Sequence, residues 1–210
     1  FCIVFDNAMI GDRFEVEVED AFGNPVTRMD PGNMRDERTG ATAVDEEGAV
    51  VTYPADPRYE AFIPAGAFPE TTVVQIRPLG AEELDTFPGQ DNPEFHSLFE
   101  LMDGVHVDLV PPDRVAARNF DISVPYPDAP ADAADGQYLA ARVVSFRQNQ
   151  DGTPRYELTM VDTANYDPAT ERIITDPGVF PGLTIGGSWG IIRTKQCVGY
   201  VMGWASTGDY

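Results

Sequence analysis

The sequence predicts an all-β fold, an antiparallel β-sandwich of immunoglobulin-like or related type with roughly nine or more strands, and three observations predict it. Short runs alternate apolar and polar residues, as in "RFEVEVED", where Phe14, Val16 and Val18 share one face and Glu15, Glu17 and Glu19 the other. The 19 glycines and 18 prolines punctuate the 210 residues at short intervals. Between them lie alternating runs rather than the apolar stripe of a long amphipathic helix.

Taken in chain order, "RFEVEVED" is the first strand and "AFGNPV" its turn. "DPGNMRDERTGAT", from Asp30 to Thr42, is charged and bounded by glycine, and reads as a long loop. Strands follow in "AVVTY", "TTVVQIR", "GVHVDLV", "NFDISVPY", "AARVVSF", "RYELTMV", "RIITD" and "SWGIIR", enough for two packed sheets. Ala81 to Leu84 is too short for a stable helix, and the Gly-Pro-Asn stretch after it reads as an exposed loop. "YELTMVDTANYDPATERIITD" reads as strand, Asp-Pro turn, strand, and "GGSWGII" as the strand that closes a sheet. Residues 128–137, "DAPADAADGQ", read as an acidic surface loop. The whole chain, 1–210, is expected to be one body, with an N-terminal strand and acidic loop in 1–40 and additional C-terminal strands in 138–210.

Charge narrows the function classes. With 35 acidic against 14 basic residues and a formal charge of −21, nucleic acid is not an expected partner, since that binding draws on Lys and Arg displacing counterions. Anionic membrane surfaces are disfavoured for the same reason, and no run reaches the roughly 18 to 20 apolar residues of a membrane-spanning helix. The chain opens at Phe1 rather than methionine, as a processed secreted protein or a trimmed chain does, so a secreted or cell-surface location is expected. Cys2 and Cys197 stand near opposite ends, and a disulfide between them would close nearly the whole chain into one loop, worth about 4 to 5 kcal/mol in the chain-entropy model. The alternative is two separate buried thiols.

The order of segments is more specific than any one of them. "DEEGAVVTY", then "EAFIPAGAFPETTVVQIRPL", then "VHVDLVPPDRVAARNFDISVPYPD" resembles the β-sandwich domain shared by ankyrins, netrin receptors and zonula occludens proteins, the ZU-five type, in a bacterial secreted or surface version. The matching residues are Ile63, Pro64, Gly66, Ala67, Thr72, Val74, Ile76, Pro111, Pro112, Val124, Pro125 and Tyr126, and the resemblance covers roughly residues 42–127. It departs from the family at Asp113, where a glycine is usual. In the Ile-Pro-x-Gly-Ala turn, Pro64 fixes φ and withholds an N–H, Gly66 supplies any positive φ, and Ala67 is small enough to tuck beneath. The resemblance implies a structural and protein-binding module without catalytic apparatus. Some animal members cleave themselves at a His-Phe-Ser stretch, and Phe95, His96 and Ser97 offer those residues only out of order.

Candidate chemistry is sparse. His106 lies between Val105 and Val107 and so points away from their face, while His96 beside Ser97 lacks the Gly-x-Ser-x-Gly elbow of a serine hydrolase. Neither histidine has a partner at metal-site spacing. No cofactor is expected: the clustered carboxylates at Asp36-Glu37, at Asp45-Glu46-Glu47 and in the turn from Asp162 to Asp167 read as a solvated acidic surface, with a calcium site as the alternative use. Trp189 is expected in the core. An interface is expected from the apolar strand at Phe1, Ile3 and Phe5 and from the aromatic tail at Tyr200, Trp204 and Tyr210, serving a protein partner, self-association into a surface assembly or filament, or a glycan. The functional expectation is a non-catalytic structural or interaction module, with a carbohydrate-binding or calcium-dependent adhesive module as the alternative.

Overall fold

The computed structural model describes residues 16–19, 25–29, 35–87, 90, 93–148, 154–177 and 182–195. In chain order its strands are β1 (Val16–Glu19), β2 (Pro25–Met29), β3 (Thr42–Val44), β4 (Ala49–Thr52), β5 (Glu60–Ile63), β6 (Thr72–Pro78), β7 (Phe99–Val110), β8 (Val115–Pro125), β9 (Tyr138–Gln148), β10 (Pro154–Asp167), β11 (Arg172–Thr175), β12 (Leu183–Ile185) and β13 (Gly187–Thr194). Two short helices, α1 (Ala81–Asp85) and α2 (Pro93–Leu98), stand between β6 and β7. The loop expected there is therefore partly helical, and Phe95, His96 and Ser97 sit in α2. Every strand pairing is antiparallel, as the alternation predicts.

β1 and β2 pair with each other, and the other eleven strands form one sheet in the order β3-β6-β7-β13-β9-β10-β11-β8-β5-β4, with β12 added to β8. Its two edges, β3 and β4, are consecutive in the chain and joined by a tight turn in which Gly48 N donates to Asp45 O (3.2 Å). The sheet thus curls round until its edges meet at that turn, a near-closed barrel in place of the expected pair of packed sheets. The reason lies in β10, which is 14 residues long and slips register at Glu157/Leu158 and again at Met160/Asp162. Each bulge bends the strand and steepens its twist. One continuous strand therefore carries the sheet around a corner.

β7 and β8 are neighbours in sequence but not in the sheet, where β13, β9, β10 and β11 lie between them. Their connection through Pro111 and Pro112, with a cis bond at Val110–Pro111, crosses from one side of the barrel to the other. β13 then inserts between β7 and β9, pairing with both, and closes the sheet as "GGSWGII" suggests.

The period-two pattern decides which residues fill the interior. Thr72, Val74 and Ile76 of β6 and Val105, Val107 and Leu109 of β7 are buried, while the residues alternating with them face out. All of these buried residues but Thr72 join Val51, Phe68, Phe120, Ile122 and Trp189 in one continuous core, so Trp189 is a core residue. Each fully buried large side chain of this kind contributes about 1.5 to 3 kcal/mol. On the outside of β13, Gly190 leaves room for Phe87 from the segment after α1, since a Cβ there would lie 2.6 Å from the Phe87 ring.

Strand polarity gives the barrel two distinct ends. At one, the β3–β4 turn, the β5–β6 connection and the β7–β8 turn come together. Gly66 N donates to Glu46 O and Ala117 N to Ala67 O, each at 2.8 Å. Gly66 has φ +75° and Ala67 is fully buried, as the reading of that turn requires. At the other end lie the C-termini of β4, β8, β10 and β13 with the N-termini of β5, β7, β9 and β11. Residues 128–137 lie there too, and Ala133–Asp135 forms a 3-10 turn whose Ala133 carbonyl accepts from the buried Tyr138 hydroxyl (3.0 Å).

Candidate functional site

Three constellations carry chemistry, and strand register explains each. The first is on the outer face of the sheet. Ser188 of β13 lies opposite His106 of β7, and alternation turns both outward, with Asp108 two residues further along on the same face. His106 Nε2–H donates to Asp108 Oδ1 (3.1 Å), which leaves Nδ1 to accept from the Ser188 hydroxyl (2.8 Å). Arg77 of β6, opposite His106 on its other side, forks onto Glu83 of α1 at 2.7 and 3.0 Å. That fork, helped by the Gly80 N–H, holds the Glu83 carboxyl down to about 2.

A serine, a histidine and an aspartate in one hydrogen-bonded chain invite comparison with acyl transfer. Acyl transfer also needs amide donors aimed at an oxyanion. Trp189, which follows Ser188, is paired with Val105 on one side and Arg142 on the other, so its backbone groups belong to the sheet ladders. The trio is best read as a cross-strand polar cluster that ties β7 to β13. Neither partner was singled out from the sequence; Asp108 could have been found in "HVD", because positions two apart share a face, whereas Ser188 arrives through a pairing 82 residues away in sequence.

The second constellation is the buried Asp162 carboxyl, 4% exposed. It sits at the β10 bulge, where its Oδ1 accepts from Thr163 N (2.8 Å). Burial pushes it up to about 7, with smaller contributions from the like charges of Asp121 and Asp176. Burial also raises Asp121, on β8, against the lowering effect of the Thr175 hydroxyl that donates to it (3.2 Å). Asp176 accepts from Thr163 Oγ1 (2.6 Å) and from Asn165 Nδ2.

The third is the end of the barrel that gathers half-buried Tyr53, Tyr59, Tyr126 and Tyr166 against the core. Tyr53 and Tyr59 meet edge to face at 6.4 Å, Tyr126 and Tyr166 at 5.6 Å. The Tyr59 hydroxyl reaches across the barrel to Asp103 of β7 (2.7 Å), whose other oxygen accepts from Gly104 N (2.7 Å). Burial raises the Asp103 carboxyl, and burial together with Asp103 raises the Tyr59 phenol. Three arginines here are each committed to a carboxylate, Arg58 to Asp56 (2.8 Å), Arg193 to Asp132 (2.9 Å) and Arg172 to Glu60, while Arg35 reaches the Thr52 carbonyl (3.4 Å). Exposed carboxylates with no ion pair among the described residues remain here, Glu100 and Glu171 together with Asp128 and Asp135 of the 128–137 segment. Glu171 has φ +52° and its carbonyl accepts from Tyr126 N (2.7 Å).

Cys2, Cys197 and the expected interface residues Phe1, Ile3, Phe5, Tyr200, Trp204 and Tyr210 lie outside the described residues. His96 Nε2–H donates to Gln90 O (2.6 Å). Among the calcium candidates, Asp36 accepts from Arg38 N and Thr39 N, Asp45 from Glu47 N, and Asp167 from Ala169 N and Thr170 Oγ1. Each of these carboxylates holds its own turn. Among the described residues no group of three or more His, Cys, Asp or Glu side chains is placed to hold a metal ion, and no helix is long and apolar enough to cross a membrane. No family model matches the chain, and the comparison with curated proteins finds no match.

Proposed function

We propose that the chain is a non-catalytic structural and interaction module of a secreted or cell-surface protein, a subunit of an extracellular assembly, and that it makes contact through its tyrosine end. The observation that carries this reading is the grouping of four half-buried tyrosines at one end of the barrel, beside exposed carboxylates that have no partner of their own. Tyrosine supplies large contact area at low entropic cost and is enriched where interfaces draw their energy. The location rests on the resemblance to surface-protein domains and on the two cysteines rather than on any feature of the barrel. A carbohydrate-binding module is the second reading, favoured by the Tyr126 and Tyr166 hydroxyls, which have no hydrogen-bond partner among the described residues.

The test is the oligomeric state by light scattering and electron microscopy, under reducing and non-reducing conditions, for the wild type and for Tyr126→Ser/Tyr166→Ser. A fixed oligomer or ordered filament that the double variant abolishes is the expected result. A monomer that binds no protein and is retained by an immobilised glycan through the same tyrosines would replace the first reading with the second.

A further inference from the structure

Resting on that reading, we infer that the Tyr126–Tyr166 pair, flanked by Glu100 and Glu171, docks a basic protein segment, with Lys or Arg side chains lying against the rings and reaching the two glutamates. At this end Arg58, Arg172 and Arg193 are each spent on a carboxylate of the same chain, Arg35 reaches the Thr52 carbonyl (3.4 Å) and Lys195 the His96 carbonyl (3.0 Å), and Asp103 is spent on Tyr59 and Gly104. Glu100 and Glu171 are both exposed with no ion pair among the described residues, and so is Asp128, two residues beyond Tyr126. Glu100 of β7 lies opposite Arg193 of β13, both act electrostatically on Tyr126, Arg193 the more strongly, and Glu171 is tied to Tyr126 through its own backbone. A cation near such a surface is drawn by the carboxylates and held by the ring faces. Arg58 lies within electrostatic reach of Glu171 but is forked onto Asp56, so it does not neutralise the surplus.

Glu171 adds a second argument. Its φ of +52° is a conformation that L-residues with a Cβ adopt at a cost and that glycine adopts freely. The turn keeps a carboxylate where glycine would be more stable, and strain of this kind is retained where the surroundings or a function require it.

The experiment uses a fluorescein-labelled oligoarginine nonapeptide and fluorescence anisotropy at about 0.15 M salt. Glu100→Gln/Glu171→Gln should weaken binding about tenfold, Tyr126→Leu about threefold and Glu171→Gly about threefold. Glu46→Gln/Glu47→Gln removes the same charge from the opposite end and should change binding by less than about twofold. Glu171→Gly keeps the inference falsifiable if other variants fold poorly, because glycine suits that backbone. If the Glu46/Glu47 variant weakens binding as much as the Glu100/Glu171 variant, net charge alone draws the peptide and the inference falls. If the wild type ignores the peptide yet assembles through Tyr126 and Tyr166, the interaction module stands and the basic partner does not. If neither assembly nor peptide binding depends on these tyrosines, both fall.

Discussion

The two ends of the barrel solve one problem, how to close a curled sheet, with different chemistry. The turn end is closed by backbone. Gly48 and Gly66 take positive φ, Gly66 N and Ala117 N reach carbonyls of neighbouring turns, and a Cβ on Gly48 would lie 2.4 Å from Ile63 O. The tyrosine end is closed by side chains, above all by the Tyr59–Asp103 bond across the barrel. Backbone closure rests on the turn amides themselves and leaves Val110, Asp113 and Val115 exposed around the prolines, with Glu46 and Glu47 exposed on the β3–β4 turn. Side-chain closure also leaves exposed carboxylates, but sets beside them an aromatic pair whose two phenol hydroxyls have no hydrogen-bond partner among the described residues. What the difference teaches is where to look for function: at the end that sets paired aromatic rings beside its exposed carboxylates.

The sharpest way to break this contrast is Gly48→Val. Valine at φ +78° is strained, and its Cβ would drive into the backbone of the β5–β6 connection. A loss of about 3 kcal/mol or more is expected, read from the urea midpoint. A loss under 1 kcal/mol would mean, on the order-of-magnitude scale of such substitutions, that the turn is not clamped by its backbone.

The flank between the ends gives the next largest effect. Asp162 takes up its proton near pH 7 in the folded chain and near the ordinary carboxylate value once unfolded. The folded chain therefore holds the extra proton between those values, and the stability this confers is present at acid pH and lost as pH rises toward 7. Asp162→Asn keeps an acceptor for Thr163 N and removes the buried charge. It should stabilise the chain by about 2 kcal/mol near pH 8 and by almost nothing near pH 4, measured as the difference in Tm from wild type at each pH. An equal shift at both pH values would sink the assignment.

How far the sequence discloses this molecule follows the same divide. The turn end was legible because it is local: Pro64, Gly66 and Ala67 act within a few residues, and Gly66 and Ala67 do what their chemistry suggests. Strand faces were legible for the same reason, so Val105, Val107 and Trp189 fall in the core as expected. The curl was not, because it depends on bulges in β10 that no alternation pattern announces. Nor was the tyrosine end, since Tyr59 meets Asp103 across 44 residues and Tyr126 meets Tyr166 only through the placement of β8 beside β11. The family resemblance singled out Tyr126 as the close of a strand, without any hint of the ring that packs on it.

Tyr59→Phe sharpens the comparison from the other side. Phenylalanine keeps the edge-to-face packing on Tyr53 but withdraws the donor from the buried Asp103 carboxyl, leaving it only Gly104 N. The expected loss is about 1.5 kcal/mol, since a hydrogen bond to a charged acceptor is at stake. It should be larger at neutral than at acid pH. The Tyr59 bond favours the ionised form of a carboxyl already raised by burial, so removing it raises that carboxyl further and costs most where Asp103 must be charged. A loss independent of pH would mean that the ring, not the hydroxyl, closes this end.

The smallest effect separates folding from binding at a single residue. Glu171→Gly relieves the left-handed strain while keeping the carbonyl that accepts from Tyr126 N, so the turn should keep its shape. Part of the relief is offset because glycine also frees the unfolded chain, and a net gain of about 0.5 kcal/mol remains. A purely structural glutamate would have to lose stability when removed. If thermal melts show Glu171→Gly to be less stable than wild type, its carboxylate is a fastener like Asp103 and the tyrosine end has one less group to spare. If the melts show a gain while oligoarginine binding drops, one substitution has moved stability and binding in opposite directions, which a residue kept for the fold alone cannot do.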